Sequence, residues 1–146
     1  MYHVNAELEK LDLIDLISET HLKLREISER LWNDTSDLYL SNSEWFIISR
    51  IYQKKQTTIS SVTKHVDISR QATHKFIKQL EQKRLVVIKA MENNKKEKSI
   101  ELTKLGEECY EKNESLKAQL ESEIANKIGD EKLKQLKEIL KADWGI

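Results

Sequence analysis

Apolar residues recur at every third or fourth position over residues 6–33, and this period predicts one long helix. A second helix is predicted to begin after Ser41. Ser41 and Glu44 have the spacing of a capping box, and Leu40 and Trp45 have that of a hydrophobic staple. Both motifs mark the start of a helix. The polar stretch 53–58 is then predicted to be a break between this helix and the next.

Two short helices joined by a tight turn are predicted over residues 59–80, with Ser60 and Ser69 as their N-terminal caps. Residues 85–91 are apolar and β-branched, and residues 99–102 alternate between polar and apolar, so both segments are predicted to be strands. Residues 92–98 would form the polar, cationic tip between them. Together these segments predict a β-hairpin directly after a helix–turn–helix.

A further long helix is predicted from a cap at Thr103 to about Lys127, followed by a last helix that Asp130 would cap after Gly129. A helix–turn–helix followed by a β-hairpin is a winged helix. The predicted fold is therefore mainly α with a small β-hairpin wing, extended by helices at both ends. One apolar stripe runs along the last helix: Leu133, Leu136, Leu140 and Trp144.

Positive charge is concentrated in the middle of a chain whose formal net charge is zero. Residues 54–98 hold 12 Lys and Arg against 4 Asp and Glu, a net charge of +8. Residues 1–53 have a net charge of −5 and residues 99–146 of −3. Such asymmetry favours a polyanionic partner for the middle block, although a solvated helical surface would also be rich in lysine.

The helix predicted after Ser69 has one basic face and one apolar face. Arg, Lys, Gln and His share the basic face, and these are the long donors that reach phosphates and base edges. An ordinary surface helix would mix acids into that face, and residues 68–80 contain none. We therefore expect this helix to bind double-stranded DNA. The candidate DNA-binding residues, with the wing lysines, are Ser60, Ser69, Arg70, Gln71, Thr73, His74, Lys75, Lys78, Lys95 and Lys96.

Other chemistries have weak support in the sequence. The four histidines show no ligand spacing, so neither a metal site nor a cofactor is expected. No nucleophile set, glycine-rich phosphate loop or paired acids suggests an enzyme. Cys109 is interpreted as a small packed residue, with a redox role left open. The longest apolar runs are too short for a membrane span and no signal peptide is visible, so a cytoplasmic protein is expected.

Three segments of the chain have a familiar pattern: "LSNSEWFIISRI", "ISSVTKHVDISRQATHKFIKQLEQKRLV" and "SIELTKLGEE". Through them the chain resembles the MarR family of bacterial winged-helix regulators. The chain departs from the family pattern at two places. Arg84 stands where the family usually has glycine, and Asn94, Lys95 and Lys96 replace an Asp-Arg-Arg-like run in the wing. The second departure preserves attraction to phosphates but removes the arginine fork that would read a minor groove.

The resemblance implies a homodimer that reads a pseudo-palindromic operator and acts as a repressor, with release by a small-molecule effector left open. Residues 1–37 and 104–146 would form the helical dimerisation region, and residues 38–103 the DNA-binding domain. An effector pocket seen in relatives would be lined here by Tyr39, Trp32, Trp45 and Phe46, unless these aromatic residues are simply core. The alternative from another class is a winged helix that binds an acidic protein partner.

Overall fold

The computed structural model describes residues 5–66 and 68–146, without the side chains of Asn94 and Lys95. Helices dominate these residues, and a small antiparallel sheet completes them, which confirms the predicted fold class. In chain order the elements are α1 (Leu13–Thr35), α2 (Asn42–Lys54), β1 (Gln56–Thr58), α3 (Ile59–His65), α4 (Arg70–Gln82), β2 (Val86–Met91), β3 (Asn94–Leu102), α5 (Lys104–Ile128) and α6 (Asp130–Lys141).

Helix α1 begins at Leu13, seven residues later than the apolar period predicted. The side chain of Asp12 accepts a hydrogen bond from the Asp15 backbone N–H at 2.9 Å and so satisfies one of the free donors of the first turn. Residues 6–10 form turns instead, beginning with the bond from Leu8 N–H to the Asn5 carbonyl. The predicted start was wrong because an apolar period does not show at which residue a capping side chain begins the helix.

Strand β1 occupies the polar stretch that was predicted to be only a break. It pairs antiparallel with β3, which also pairs with β2, so the sheet order is β1-β3-β2. Thr58 ends this strand and caps α3, because its hydroxyl oxygen accepts from Ser61 N–H at 3.1 Å. The predicted cap, Ser60, is instead an exposed residue in the first turn of α3.

The wing is a tighter hairpin than predicted. Glu92 and Asn93 form the whole turn, and β3 begins immediately at Asn94, so the predicted polar tip is mostly strand. The register shifts near the turn, where Ala90 pairs with Lys98 but Met91 pairs with Asn94. The residues of β3 between these two pairs lie in this irregularity. Irregularities of this kind include β-bulges, which change the direction of side chains near the end of a hairpin.

The apolar core of the winged helix is built from one face of each of its elements. Ile47, Ile48 and Ile51 of α2 are fully buried, as is Leu80 of α4. Gly106 lies where α5 meets the start of β2. A Cβ atom there would stand 2.2 Å from the Leu85 carbonyl oxygen, so only glycine allows this approach. Other buried apolar residues of the same unit are Trp32, Leu40, Trp45, Val62, Ile77, Leu85, Val86, Ile100 and Cys109.

The chain divides into two compact units. One comprises Glu29–Glu114 and contains the winged helix; the other is formed by the chain before Glu29 together with Ser115–Ile146. In the second unit, Gly129 with φ of 95° takes the cap position of α6, and Asp130 is the first helical residue rather than the cap. No residue of α6 is buried, and Leu136, Leu140 and Trp144 are all exposed.

Candidate nucleic-acid interface

The capping of α4 places its first residues at the surface. The Ser69 hydroxyl oxygen accepts from Ala72 N–H at 3.1 Å, so the helix begins at Arg70 as predicted. Arg70 and Gln71 therefore lie in the first turn, and both are exposed. In a helix–turn–helix this turn is the part that enters the major groove of DNA.

The two faces of α4 separate as the sequence indicated, with one correction. Thr73, Ile77 and Leu80 are buried, whereas His74, Lys75 and Lys78 are exposed. Thr73 is a predicted DNA-binding residue, yet it is fully buried and its hydroxyl donates to the Ser69 carbonyl at 2.9 Å. Its donor is therefore used within the helix, and its side chain belongs to the core rather than to the exposed face.

A groove of about 860 Å³ runs between α3, α4 and the wing. Ser60 and Thr63 of α3 contribute to one wall, and Ile88 and Ala90 of β2 to another. The groove has an excess of basic over acidic residues, since only Glu81 and Glu97 oppose the cations. The basic residues lining it are Lys64, Arg70, His74, Lys78, Lys96 and Lys98.

Five of the ten predicted DNA-binding residues therefore line one groove. Ser60, Arg70, His74, Lys78 and Lys96 line it directly. Ser69, Gln71 and Lys75 are exposed on the same helix end or face without lining the groove. The Lys95 side chain lies outside the described residues, so its assignment stays a prediction. Lys64 and Lys98 were missed, although both belong to the basic middle block.

Helix α4 ends in a motif that the sequence only partly indicated. The Leu85 N–H donates to the Leu80 carbonyl and the Arg84 N–H to the Glu81 carbonyl, both at 3.0 Å. These are the two bonds of a Schellman motif, and Arg84 has the left-handed backbone that the motif requires, with φ of 63°. The chain therefore adopts the glycine-type ending without glycine.

A buried ion pair lies immediately before this ending and was not predicted. Lys83 Nζ contacts Glu44 Oε2 at 2.7 Å and Oε1 at 3.0 Å, and it also donates to the Tyr39 carbonyl at 2.8 Å. Glu44 completes the predicted capping box as well, because Oε1 accepts from Ser41 N–H and Ser41 Oγ accepts from Glu44 N–H. No local spacing in the sequence indicates this pair, because its two residues are 39 positions apart.

The model of the MarR family matches residues 40–98, from the cap of α2 to the wing. The chain carries a MarR family winged helix. This confirms the resemblance drawn from the sequence, and it supports a DNA-binding transcriptional regulator, as proteins of this family generally are. Among curated proteins, none matches the chain in sequence.

Solved structures of MarR-type proteins share the fold over nearly the whole chain. The reduced form of MarR from E. coli has 19% identity and a TM-score of 0.81, over 91% of this chain and 96% of that one. A mutant of E. coli MarR complexed with operator DNA has 18% identity and a TM-score of 0.75, over 94% and 97%. An S. aureus MepR mutant bound to an oligodeoxyribonucleotide has 16% identity and a TM-score of 0.64, over 90% and 94%. At these identities the likeness shows the fold alone.

The four aromatic residues predicted to line an effector pocket do not share one environment. Trp32 and Trp45 are buried and pack edge to face with ring centroids 5.0 Å apart, whereas Tyr39 and Phe46 are exposed. The Trp32 indole N–H donates to the Leu38 carbonyl at 2.7 Å. The hydrogen bond to Glu29, followed by the charge of that carboxylate, raises the pKa of Tyr39. The two tryptophans are thus core residues of the MarR-type fold.

Cys109 and the histidines of the described residues were the remaining candidates for a separate chemical site. Cys109 is buried in α5, and this burial raises the pKa of its thiol. A protonated, buried thiol is a poor nucleophile. Within residues 5–66 and 68–146, no group of three or more His, Cys, Asp and Glu residues is placed to hold a metal ion. No helix in this part of the chain is long and apolar enough to cross a membrane.

Proposed function

We propose that the chain is a cytoplasmic, homodimeric transcriptional repressor that binds a pseudo-palindromic DNA operator. The observation that carries this proposal is the groove between α3, α4 and the wing, with its cations on three elements. A surface helix without function would pair its lysines with acids at i,i+4. In α4 the first acidic residue is Glu81, near the C-terminal end of the helix and far from the first turn, which would enter the major groove of DNA.

The residues of α4 and the wing would divide between reading and anchoring. Arg70 and Gln71, both exposed in the first turn of α4, would reach base edges, since bidentate Arg suits guanine and Gln suits adenine. His74, Lys75 and Lys78 follow along the exposed face, and Ser60 and Ser69 can donate to phosphates from α3 and the start of α4. Lys95 and Lys96 would approach the phosphates from the wing.

The helices outside the winged helix would form the dimer. Residues 1–37 and 104–146 are the region proposed for this role. Exposed apolar side chains are concentrated there, on both α1 and α6, and water-exposed surfaces of this kind usually mark an interface. A twofold dimer would repeat the basic groove and match the symmetry of a palindromic site.

An effector would act on this dimer from the aromatic region near the start of the winged helix. Trp32 and Trp45 form its buried part, and Tyr39 and Phe46 its exposed part. The Trp45 indole N–H is buried without a hydrogen-bonding partner among the described residues, which supports a polar ligand atom at this place.

The salt dependence of binding tests the central proposal. The purified protein would first select duplexes from a random pool, and its affinity for the selected operator would be measured by fluorescence anisotropy. If about 6–10 phosphates are neutralised, affinity falls about 10³–10⁵-fold between about 50 and about 200 mM salt. A flat plot of log affinity against log salt would exclude DNA as the partner and would favour the acidic protein partner instead.

A further inference from the structure

The ion pair between Lys83 and Glu44 joins the last turn of α4 to the first turn of α2. Lys83 is the C-terminal cap residue of α4, and Glu44 is the third helical residue of α2. All three donors of the ammonium group have acceptors close by: both Glu44 carboxylate oxygens and the Tyr39 carbonyl, at 2.7–3.0 Å. The ammonium group is therefore fully hydrogen-bonded.

Burial makes this pair different from an ordinary surface salt bridge. The Glu44 side chain is 1% exposed and the Lys83 side chain 24%. The Glu44 carboxylate has lost nearly all of its water, which its hydrogen bonds must offset, and a pair of apolar side chains would often be as stable. Beyond stability, an ion pair can constrain the orientation of α4 relative to α2, because its hydrogen bonds form in only a narrow range of relative placements of the two helices.

The position of Lys83 along α4 excludes a role in the groove itself. At about 100° per residue, Lys83 projects about 140° away from Arg70, on the opposite side of the helix. It does not line the groove, whereas Arg70, His74 and Lys78 do. Lys83 thus holds the helix from the side that faces α2 and the loop preceding it.

The wing begins shortly after Lys83 along the chain. Arg84 follows in the left-handed conformation, and its carbonyl accepts from the Thr103 hydroxyl at 2.8 Å. Strand β2 starts two residues later, at Val86. A shift of Lys83 would therefore move both walls of the groove, the recognition helix and the hairpin.

We propose that Lys83, through its pair with Glu44, is a positioning residue that sets the orientation in which α4 meets operator DNA. This inference rests on the DNA-binding function proposed above. Base reading demands that Arg70 and Gln71 be placed to within fractions of an ångström, whereas attraction to phosphates tolerates misplacement. Loss of the pair should consequently reduce sequence discrimination more than general DNA affinity.

The test compares Lys83→Met with wild type on two duplexes, the selected operator and its scrambled sequence, at three salt concentrations. We expect operator affinity to fall about tenfold, within the loss expected for impaired base contacts, while affinity for scrambled DNA and the salt slope stay unchanged. Circular dichroism first fixes a temperature at which both proteins are fully folded, so that lost stability does not appear as lost affinity.

Lys83→Met leaves the Glu44 carboxylate buried without its cation and can prevent folding. The double variant Glu44→Gln with Lys83→Met removes both charges and keeps a side chain that can close the capping box. We expect it to fold and to show the same tenfold loss, because the two residues act as one pair. Lys89→Met is the matched control. Lys89 pairs with Glu101 at 2.7 Å but is 60% exposed and does not line the groove, so operator affinity should change by less than about twofold.

Each other outcome contradicts a distinct statement. Full operator affinity in the folded double variant would show that the pair only stabilises the fold. Equal losses on both duplexes, with a salt slope lower by about one, would show that Lys83 binds a phosphate directly. If wild type itself prefers no duplex, the proposed function fails before the variants are compared.

Discussion

Arg84 stands where the family usually has glycine, and its backbone adopts the conformation that glycine favours. Its φ of 63° is the left-handed value that glycine adopts without cost and that other residues adopt at about 1–2 kcal/mol. The chain accepts this cost because the two backbone bonds of the Schellman motif and the fully buried Leu80 and Leu85 fix the ending of α4. Packing here overrides the conformational preference of the residue.

Arg84→Gly should therefore stabilise the protein, by about 0.5–1 kcal/mol after the greater entropy of glycine in the unfolded chain is subtracted. The free energy of unfolding in urea measures the change. Gln82→Gly is the matched control, since Gln82 is an exposed residue of α4 with helical backbone, where glycine should lower stability. Destabilisation by both substitutions would mean that the Arg84 side chain makes contacts worth more than the backbone strain.

Single residues show clearly where sequence reasoning succeeds and where it stops. The Ser41–Glu44 box and the Ser69 cap were predictable because both partners lie within one turn. The Lys83–Glu44 pair joins residues 39 positions apart, and no local spacing indicates it. Thr73 was listed among the DNA-binding residues although it lies at the margin of the basic face, and the packing of α4 shows that it is buried.

At the scale of elements, long periodic segments were predictable and short or polar ones were not. The helices α2, α4 and α5 lie close to their predicted bounds, because apolar period and capping residues agree there. Strand β1 has only three residues and no apolar alternation. It exists because β3 offers it a free edge, which is tertiary information. The basic residues that α4 contributes to the groove could be predicted, whereas the contribution of Lys64 from α3 could not.

Helix α4 and the wing should differ in the kind of DNA affinity that they provide. Arg70→Ala or Gln71→Ala should cost about 1–3 kcal/mol on the operator and relax the preference at particular base pairs. Both residues lie in the first turn of α4, which would enter the major groove of the DNA. Lys95→Ala with Lys96→Ala should weaken binding to all sequences alike and lower the salt slope by about one for each lost phosphate contact. Titrations on operator and scrambled duplex distinguish the two effects.

The opposite pattern would reverse these roles. If the wing variant loses specificity while the Arg70 and Gln71 variants lose only general affinity, then the wing reads the bases and α4 anchors the protein. Glu92→Gln serves as the control in the wing, since Glu92 lies in its turn, outside the groove lining, and carries no positive charge. Its operator affinity should equal or slightly exceed that of wild type.

At the scale of the whole molecule, the excess positive charge and most of the exposed large apolar side chains lie on different parts of the chain. The basic block of residues 54–98 falls entirely within the unit Glu29–Glu114. The exposed apolar side chains of α6 and of the first half of α1 fall within the other unit. This separation favours binding of a polyanion by one unit and of a protein by the other. The proposed symmetry requires that this protein be a second copy of the chain.

Dimerisation through α6 is the last prediction. Leu136 is 45% exposed and Leu140 is 56% exposed, one turn apart on the same face, so neither has enough apolar surroundings within its own chain. Leu136→Asp with Leu140→Asp should place two carboxylates in the interface of the proposed dimer and give a monomer or an aggregate in sedimentation velocity. Lys134→Asp with Lys141→Asp, on the opposite face of α6, should leave the dimer intact. Because a dimer holds two basic grooves together on one palindromic site, the monomeric variant should also lose most of its operator affinity. A well-folded dimer that survives the leucine substitutions would show that the α6 stripe lies outside the dimer interface.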